Sequence, residues 1–202
     1  MVVHPFDYST EETLLDFLKE FFPAIFDIEN KIILQDKREI ELGGIVHKLD
    51  RDTSGVMVIA KTQSVFAQLK EQFRNHTIKK TYISLVDGII EKEKFTIDAP
   101  LGRSKKDYKQ STNPINPRGE LRPAITEVEV IKRFIDKTLV KLFPKTGRTH
   151  QLRAHMSSIE HPIVGDIAYG SKIKSERIML HAESISFLLN EEEKTFRVEP
   201  QK

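Results

Sequence analysis

The sequence predicts an α+β protein with a mixed or largely antiparallel sheet. Three observations carry this. Strand-like segments outnumber helical ones, two of them are joined as a hairpin, and the elements do not alternate βαβα. A chain of 202 residues, 39% apolar and 31% charged, suits one globular domain over 1–202 with a sizeable core.

The elements follow in order. Ser9-Thr10-Glu11-Glu12 reads as a capping box, and Leu14, Leu15, Leu18, Phe21 and Phe22 then keep helical spacing until Pro23 ends the helix. Residues 55–60 (GVMVIA) are short and β-branched, as in a buried strand. Residues 64–75 place Val65, Phe66, Leu69 and Phe73 on one helical face. Residues 80–87 alternate as a strand does. So do 126–135 and 138–143, with Asp136-Lys137 as the hairpin turn. Residues 102–124 carry Pro114, Pro117, Gly119 and Pro123 and read as a long loop, of the kind that is usually functional or mobile. Residues 149–159 predict a short helix with Thr149 as its cap and Leu152, Met156 and Ile159 facing inward, and 178–188 a last strand.

Several function classes drop out at once. No apolar run approaches the ~20 residues of a membrane helix. Met1-Val2-Val3-His4-Pro5 has no basic start and no apolar stretch, so no secretory signal is expected and the cytoplasm is the default compartment. With no cysteine, disulfides, thiol catalysis, iron–sulfur clusters and cysteine-zinc sites are excluded. Net charge is only +2, but its distribution is uneven: residues 1–30 sum to −6, 101–125 to +4 and 145–157 to +3. A polyanion-binding face needs such asymmetry, and so does an ordinary solvated lysine-bearing loop.

Two polar clusters stand out. His47-Lys48-Leu49-Asp50-Arg51-Asp52-Thr53-Ser54-Gly55 packs two carboxylates, two cations, two hydroxyls and an imidazole into nine residues. A simple turn at Asp52–Ser54 is the plain alternative. The second cluster runs Lys145-Thr146-Gly147-Arg148-Thr149-His150-Gln151-Leu152-Arg153-Ala154-His155. Cations at a helix start oppose the helix dipole and hint at an anionic partner. Other chemistries fit poorly. His150 and His155 would point about 140° apart on a helix, which disfavours a metal site. Ser54 lacks a nucleophile elbow, and no Gly-rich phosphate loop is present.

The segment Val46–Gly55 resembles the H-R-L-D-x-x-T-S-G motif of RluA-type pseudouridine synthases. Lys80-Thr81-Tyr82 with Gly88, Arg122-Pro123-Ala124-Ile125-Thr126, Thr146–His155, His161–Asp166, Tyr169-Gly170 and Leu180-His181-Ala182 resemble that family's further motifs, in its order, over roughly residues 1–188. The resemblance implies the pseudouridine synthase catalytic fold and isomerisation of uridine in structured RNA, without redox change, cofactor or metal. Large-subunit ribosomal RNA is the expected target and transfer RNA the alternative. A non-catalytic RNA-binding module and an RNA hydrolase are the rival classes.

The resemblance also implies roles. Asp50 is the nucleophile, Arg153 the cation holding it ionised, and Tyr82 stacks on the uracil and helps remove the C5 proton. Leu180, His47 and Lys48 are implied at the substrate. His47, His150 and His155 suit structural hydrogen bonding better than catalysis. Lys105, Lys106, Lys109 and Arg148 are the candidate phosphate contacts. Two departures are evident. Lys48 stands where the family has an arginine, losing the planar fork and stacking surface. The family's preceding strand and K-P-x-G turn, and the S4-type domain of many members, have no counterpart, so a truncated reading frame or a minimal catalytic domain is expected; the resemblance implies a monomer.

Overall fold

The computed structural model describes residues 2–3, 12–34, 36–103, 109–112 and 118–200. Among these there are three α-helices, α1 (Leu14–Phe21), α2 (Gln63–Arg74) and α3 (Gln151–Ser158). The strands are β1 (Lys31–Ile33), β2 (Glu39–Glu41), β3 (Ser54–Gly55), β4 (Lys79–Asp87), β5 (Lys94–Asp98), β6 (Leu101–Arg103), β7 (Gln110–Ser111), β8 (Arg118–Arg122), β9 (Ile125–Arg133), β10 (Lys137–Pro144), β11 (Leu180–Leu189) and β12 (Glu192–Arg197). The fold is thus α+β with a largely antiparallel sheet. No helix among the described residues is long and apolar enough to cross a membrane. The chain divides into two compact units: residues 1–51, 56–78 and 185–196, and residues 52–55, 79–184 and 197–202.

In the first unit, α1 buries Leu15 and Leu18 against Val3, Ile25, Leu42 and Ile45. Its cap is Thr13, whose hydroxyl accepts from the Asp16 N–H while the Asp16 carboxylate accepts from the Thr13 N–H at 2.9 Å. The reciprocal box exists, but it lies at Thr13 and Asp16. The expected box at Ser9–Glu12 begins outside the described residues. Helix α2 is capped by Thr62 and buries Phe66 and Leu69 among Ile28, Val46, Ala60 and Ile78. Gln72 on its outer side holds both the N–H and C=O of Leu188 at 2.8 and 2.7 Å.

Of the expected strand at 55–60, only Gly55 lies in one, as the end of β3. Val56 and Val58 pack into one cluster and Met57 and Ile59 into another, so the period-2 alternation is real. The backbone makes only an isolated bridge, Ile45 to Ile59, and the Val58 N–H is taken by a side chain instead of a neighbouring strand. Pattern reports side-chain direction; it does not report whether a partner strand is present.

In the second unit the sheet runs β11–β4–β10–β9–β5, with β3 pairing parallel to β11. Its core joins Val86, Val128, Val140 and Leu142 of the sheet to Leu152 and Met156 of α3, Ile163 and Leu180. The β9–β10 turn spans Phe134–Asp136 and is closed by the Phe134 N–H on the Lys137 carbonyl, one residue longer than expected. The expected loop at 102–124 contains β6, β7 and β8, an antiparallel three-stranded sheet. Strands of two to five residues, separated by proline-rich stretches, are too short to show an alternation.

Candidate active site

The first motif cluster is divided between the two units, and the second lies wholly in the second unit. Asp50, His47 and Lys48 belong to the first unit, whereas Tyr82, Lys109, Arg148, Arg153 and Leu180 belong to the second. Lys105 and Lys106 lie outside the described residues.

In the first unit, residues 46–50 run without regular structure, with Lys48 exposed and Asp50 half-buried. His47 Nε2 accepts the Val58 N–H at 3.0 Å, which puts the ring proton on Nδ1, and its ring stacks on Phe73 at 4.9 Å. This histidine therefore ties the segment bearing Asp50 to the extended chain at Val58.

The motif's last residues, Ser54 and Gly55, lie in the second unit, where they fasten the chain. The Ser54 hydroxyl takes the Arg177 Nη1–H at 2.7 Å and lies 2.8 Å from His181 Nδ1, while His181 Nε2 is 2.9 Å from the Val198 carbonyl. Donors and acceptors balance with His181 neutral and protonated on Nε2: arginine donates to serine, serine to histidine, histidine to the carbonyl. Gly55 has φ +124°, and a Cβ there would stand 2.3 Å from the Ala182 carbonyl oxygen. Only glycine permits this approach to β11. Sequence reasoning missed Arg177, which carries no motif signal.

In the second unit, α3 follows a turn built around one buried amide. Gln151 Oε1 accepts the Thr146 hydroxyl and the Arg148 N–H at 2.7 and 3.0 Å. Its Nε2 donates to the Ile125 carbonyl and to Thr126 Oγ1 at 2.9 and 3.1 Å. The helix cap is His150, in the left-handed region at φ 51°, and not Thr149. No side chain caps this helix; Gln151 instead secures the turn that precedes it. His150 Nδ1 lies 3.0 Å from the Tyr169 hydroxyl. His155 is fully buried between Thr126 Oγ1 and the Ala99 carbonyl at 2.9 and 3.0 Å, and burial holds it below the usual histidine pKa. Thr126 thus joins β9 to α3 through both Gln151 and His155.

Arg153 is 7% exposed and is gripped by a carboxylate within its own unit. Its Nε and Nη2 donate to Asp166 at 2.6 and 2.9 Å, and its guanidinium sits 4.7 Å over the Tyr169 ring. Asp166 in turn accepts the Tyr169 N–H at 3.3 Å. The quoted motif His161–Asp166 contained this partner, but spacing alone did not pair the two. Tyr82, half-buried on β4, and Leu180, buried at the start of β11, pack on the same core cluster as Leu152 of α3. Lys109 is half-buried beside β7. Among the described residues no group of His, Asp or Glu could hold a metal ion.

A cavity of about 490 Å³ in this unit is lined by Arg103, Gln110, Glu120, Arg122, Gly147 and Arg148, among others. It brings the β6–β7–β8 sheet and the turn before α3 together.

Comparison with known proteins gives this arrangement a family. The model for RNA pseudouridylate synthases matches residues 1–158. The ribosomal large subunit pseudouridine synthase C of Buchnera aphidicola subsp. Baizongia pistaciae is 39% identical over 170 residues, covering 79% of this chain and 52% of that protein. An uncharacterized RNA pseudouridine synthase of Bacillus subtilis is 36% identical over 189 residues, covering 93% of this chain and 58% of that protein. Among solved structures, human RNA pseudouridylate synthase domain containing 1 superposes with a TM-score of 0.76 at 25% identity, covering 98% of this chain and 78% of that one. The chain spans a little over half the length of these curated relatives. The chain belongs to the RNA pseudouridylate synthase family.

Proposed function

We propose that this protein isomerises specific uridines to pseudouridine in structured RNA, with large-subunit ribosomal RNA in the cytoplasm as its target. The observation that carries the reading is the family match over 1–158, a span that contains Asp50, Tyr82 and Arg153 together. The names of curated relatives that act on the ribosomal large subunit support the choice of RNA.

The reaction breaks the N1–C1′ bond, turns the uracil and joins C5 to C1′; C5 gives up its proton and the freed N1 takes one up, so that atoms and electrons balance within one nucleoside. Asp50 is the nucleophile, which splits this exchange into two easier steps. A carboxylate must be ionised to attack, and a guanidinium nearby favours that form; Arg153 takes this role. Its grip by Asp166 supports the assignment, because an arginine that orients a nucleophile must not itself swing. Tyr82 receives the displaced ring and helps remove the C5 proton. Leu180 packs against the base and His47 steadies the Asp50 segment. Extruding the uridine costs a few kcal/mol. Lys48, exposed on the Asp50 segment, contributes charge to that step without a stacking plane. Arg148, Lys109, Lys105 and Lys106 contact phosphates.

Release of tritium from C5-labelled uridine in transcribed large-subunit ribosomal RNA tests the reading. Wild-type protein is expected to release it, and Asp50→Asn to bind the RNA without release. Release by Asp50→Asn overturns the nucleophile. Binding without release by wild type makes the protein an RNA-binding module, and cleavage fragments make it a hydrolase.

A further inference from the structure

The cavity at the β6–β7–β8 sheet has a charge pattern that the described residues do not neutralise. Arg103, Arg122 and Arg148 line it, against one carboxylate, Glu120. None of the three arginines makes an ion pair among the described residues; Arg148 spends its Nε on the Pro123 carbonyl at 3.0 Å and makes no other side-chain hydrogen bond. Arginines left without carboxylates around a concave space of about 490 Å³ fit an anionic ligand of nucleotide size.

Two further residues point the same way. Gly147 lines the cavity and is exposed, yet nothing among the described residues requires glycine there. Its φ lies outside the left-handed region, and a Cβ would meet only Lys80 Nζ, at an ordinary 3.6 Å. This contrasts with Gly55, where backbone and neighbour both forbid a side chain. A glycine at this exposed position leaves its backbone open to close approach by a ligand. Beside it stands Lys80, half-buried on β4, with no hydrogen bond or ion pair among the described residues. Burial alone lowers its pKa. No fully buried side-chain nitrogen or oxygen among the described residues lacks a partner, so the Lys80 amine is not sealed off. An ammonium held partly out of water without a counter-charge costs stability, and a ligand anion would recover it.

We propose that this cavity binds one nucleotide of the RNA backbone, its phosphodiester lying against Gly147 between the Lys80 ammonium and the Arg148 guanidinium, with Arg103 and Arg122 on the adjoining strands. The inference rests on the reading that the ligand is RNA. It adds Lys80, Gly147, Arg103 and Arg122 to the expected contacts and gives them one shared phosphate group to hold.

Binding of transcribed large-subunit ribosomal RNA, measured across a salt series, provides the test. Lys80→Met and Arg148→Ala are each expected to weaken binding about tenfold and to reduce the salt slope by about one. Lys80→Met is also expected to raise the thermal midpoint, an outcome that a merely structural lysine would reverse. Gly147→Ala is expected to leave the midpoint unchanged while weakening binding. Wild-type affinity and salt slope in Lys80→Met and Arg148→Ala overturn the site. The two readings fail separately: cation-dependent binding without isomerisation by wild type sinks the enzyme and leaves the cavity. Isomerisation that continues with unchanged binding in these variants sinks the cavity alone.

Discussion

Arg148 stands just before α3 and Arg153 lies in its first turn, and their surroundings are opposite. Arg153 is enclosed, with two nitrogens on Asp166 and its plane over Tyr169. Arg148 is half-buried at a cavity, with one bond to a carbonyl and no carboxylate partner among the described residues. Sequence presents both as cations in one cluster. The difference teaches that the protein itself completes the first, whereas the second awaits something else. An enclosed ion pair adds little net stability, yet breaking it is costly because one charge is left buried alone. An exposed cation can be removed at almost no cost to the fold.

The largest effect should therefore come from Asp166. Asp166→Ala leaves the Arg153 guanidinium buried without its carboxylate and is expected to cost about 3–5 kcal/mol in denaturant unfolding. The double variant Arg153→Met with Asp166→Leu should recover most of that loss. If Asp166→Ala costs no more than Arg148→Ala, the contrast between the two arginines is void.

Gly55 should come next, because it belongs to the enclosed side of the contrast. Its φ of +124° and the 2.3 Å approach to Ala182 mean that Gly55→Ala strains the backbone and pushes β3 from β11. A loss of about 2–4 kcal/mol is expected by the same measurement. A loss comparable to that of Gly147→Ala would show that the two glycines do not differ as described.

These cases show how much was legible beforehand. Helices α2 and α3 and strands β4, β9, β10 and β11 could be read because each carries a long enough apolar period. Strands β6, β7 and β8 could not, since two to five residues contain no period. The Val56–Ile59 segment keeps the period but lacks the ladder, because His47 occupies the Val58 amide. At the site, residue types were legible and partners were not. Arg153 was visible as a cation, but Asp166 became its partner only through the fold. Gln151 reads in sequence as an ordinary helical residue and proves to satisfy four groups at once.

His155 offers a graded test of the same contrast through pH. It is enclosed and neutral, and its folded pKa lies below the ordinary 6.5 because burial penalises the charge. The unfolded chain takes up a proton at this site before the folded chain does. Its contribution to stability is therefore complete above 6.5 and is lost as pH falls through the depressed folded value. Unfolding free energy should decline as the pH falls from 6.5 towards that value. His155→Gln, which keeps a hydrogen-bonding side chain but cannot titrate, should flatten the decline. An unchanged slope in the variant would mean that other groups carry it.

The smallest effect on the fold is expected at Arg148, and its smallness is the informative part. Removing the side chain in Arg148→Ala deletes one bond to the Pro123 carbonyl from a half-buried position. The backbone N–H of residue 148 remains, so its bond to Gln151 and the turn into α3 should survive. The expected change in unfolding free energy is within about 0.5 kcal/mol. It should shift towards greater stability in low salt, because Arg148→Ala relieves repulsion from Arg103 and Arg122 around the same cavity. A large loss of stability would instead place Arg148 with Arg153, as a cation whose work is finished within the protein, and the cavity would lose the residue on which its reading as an anion site depends.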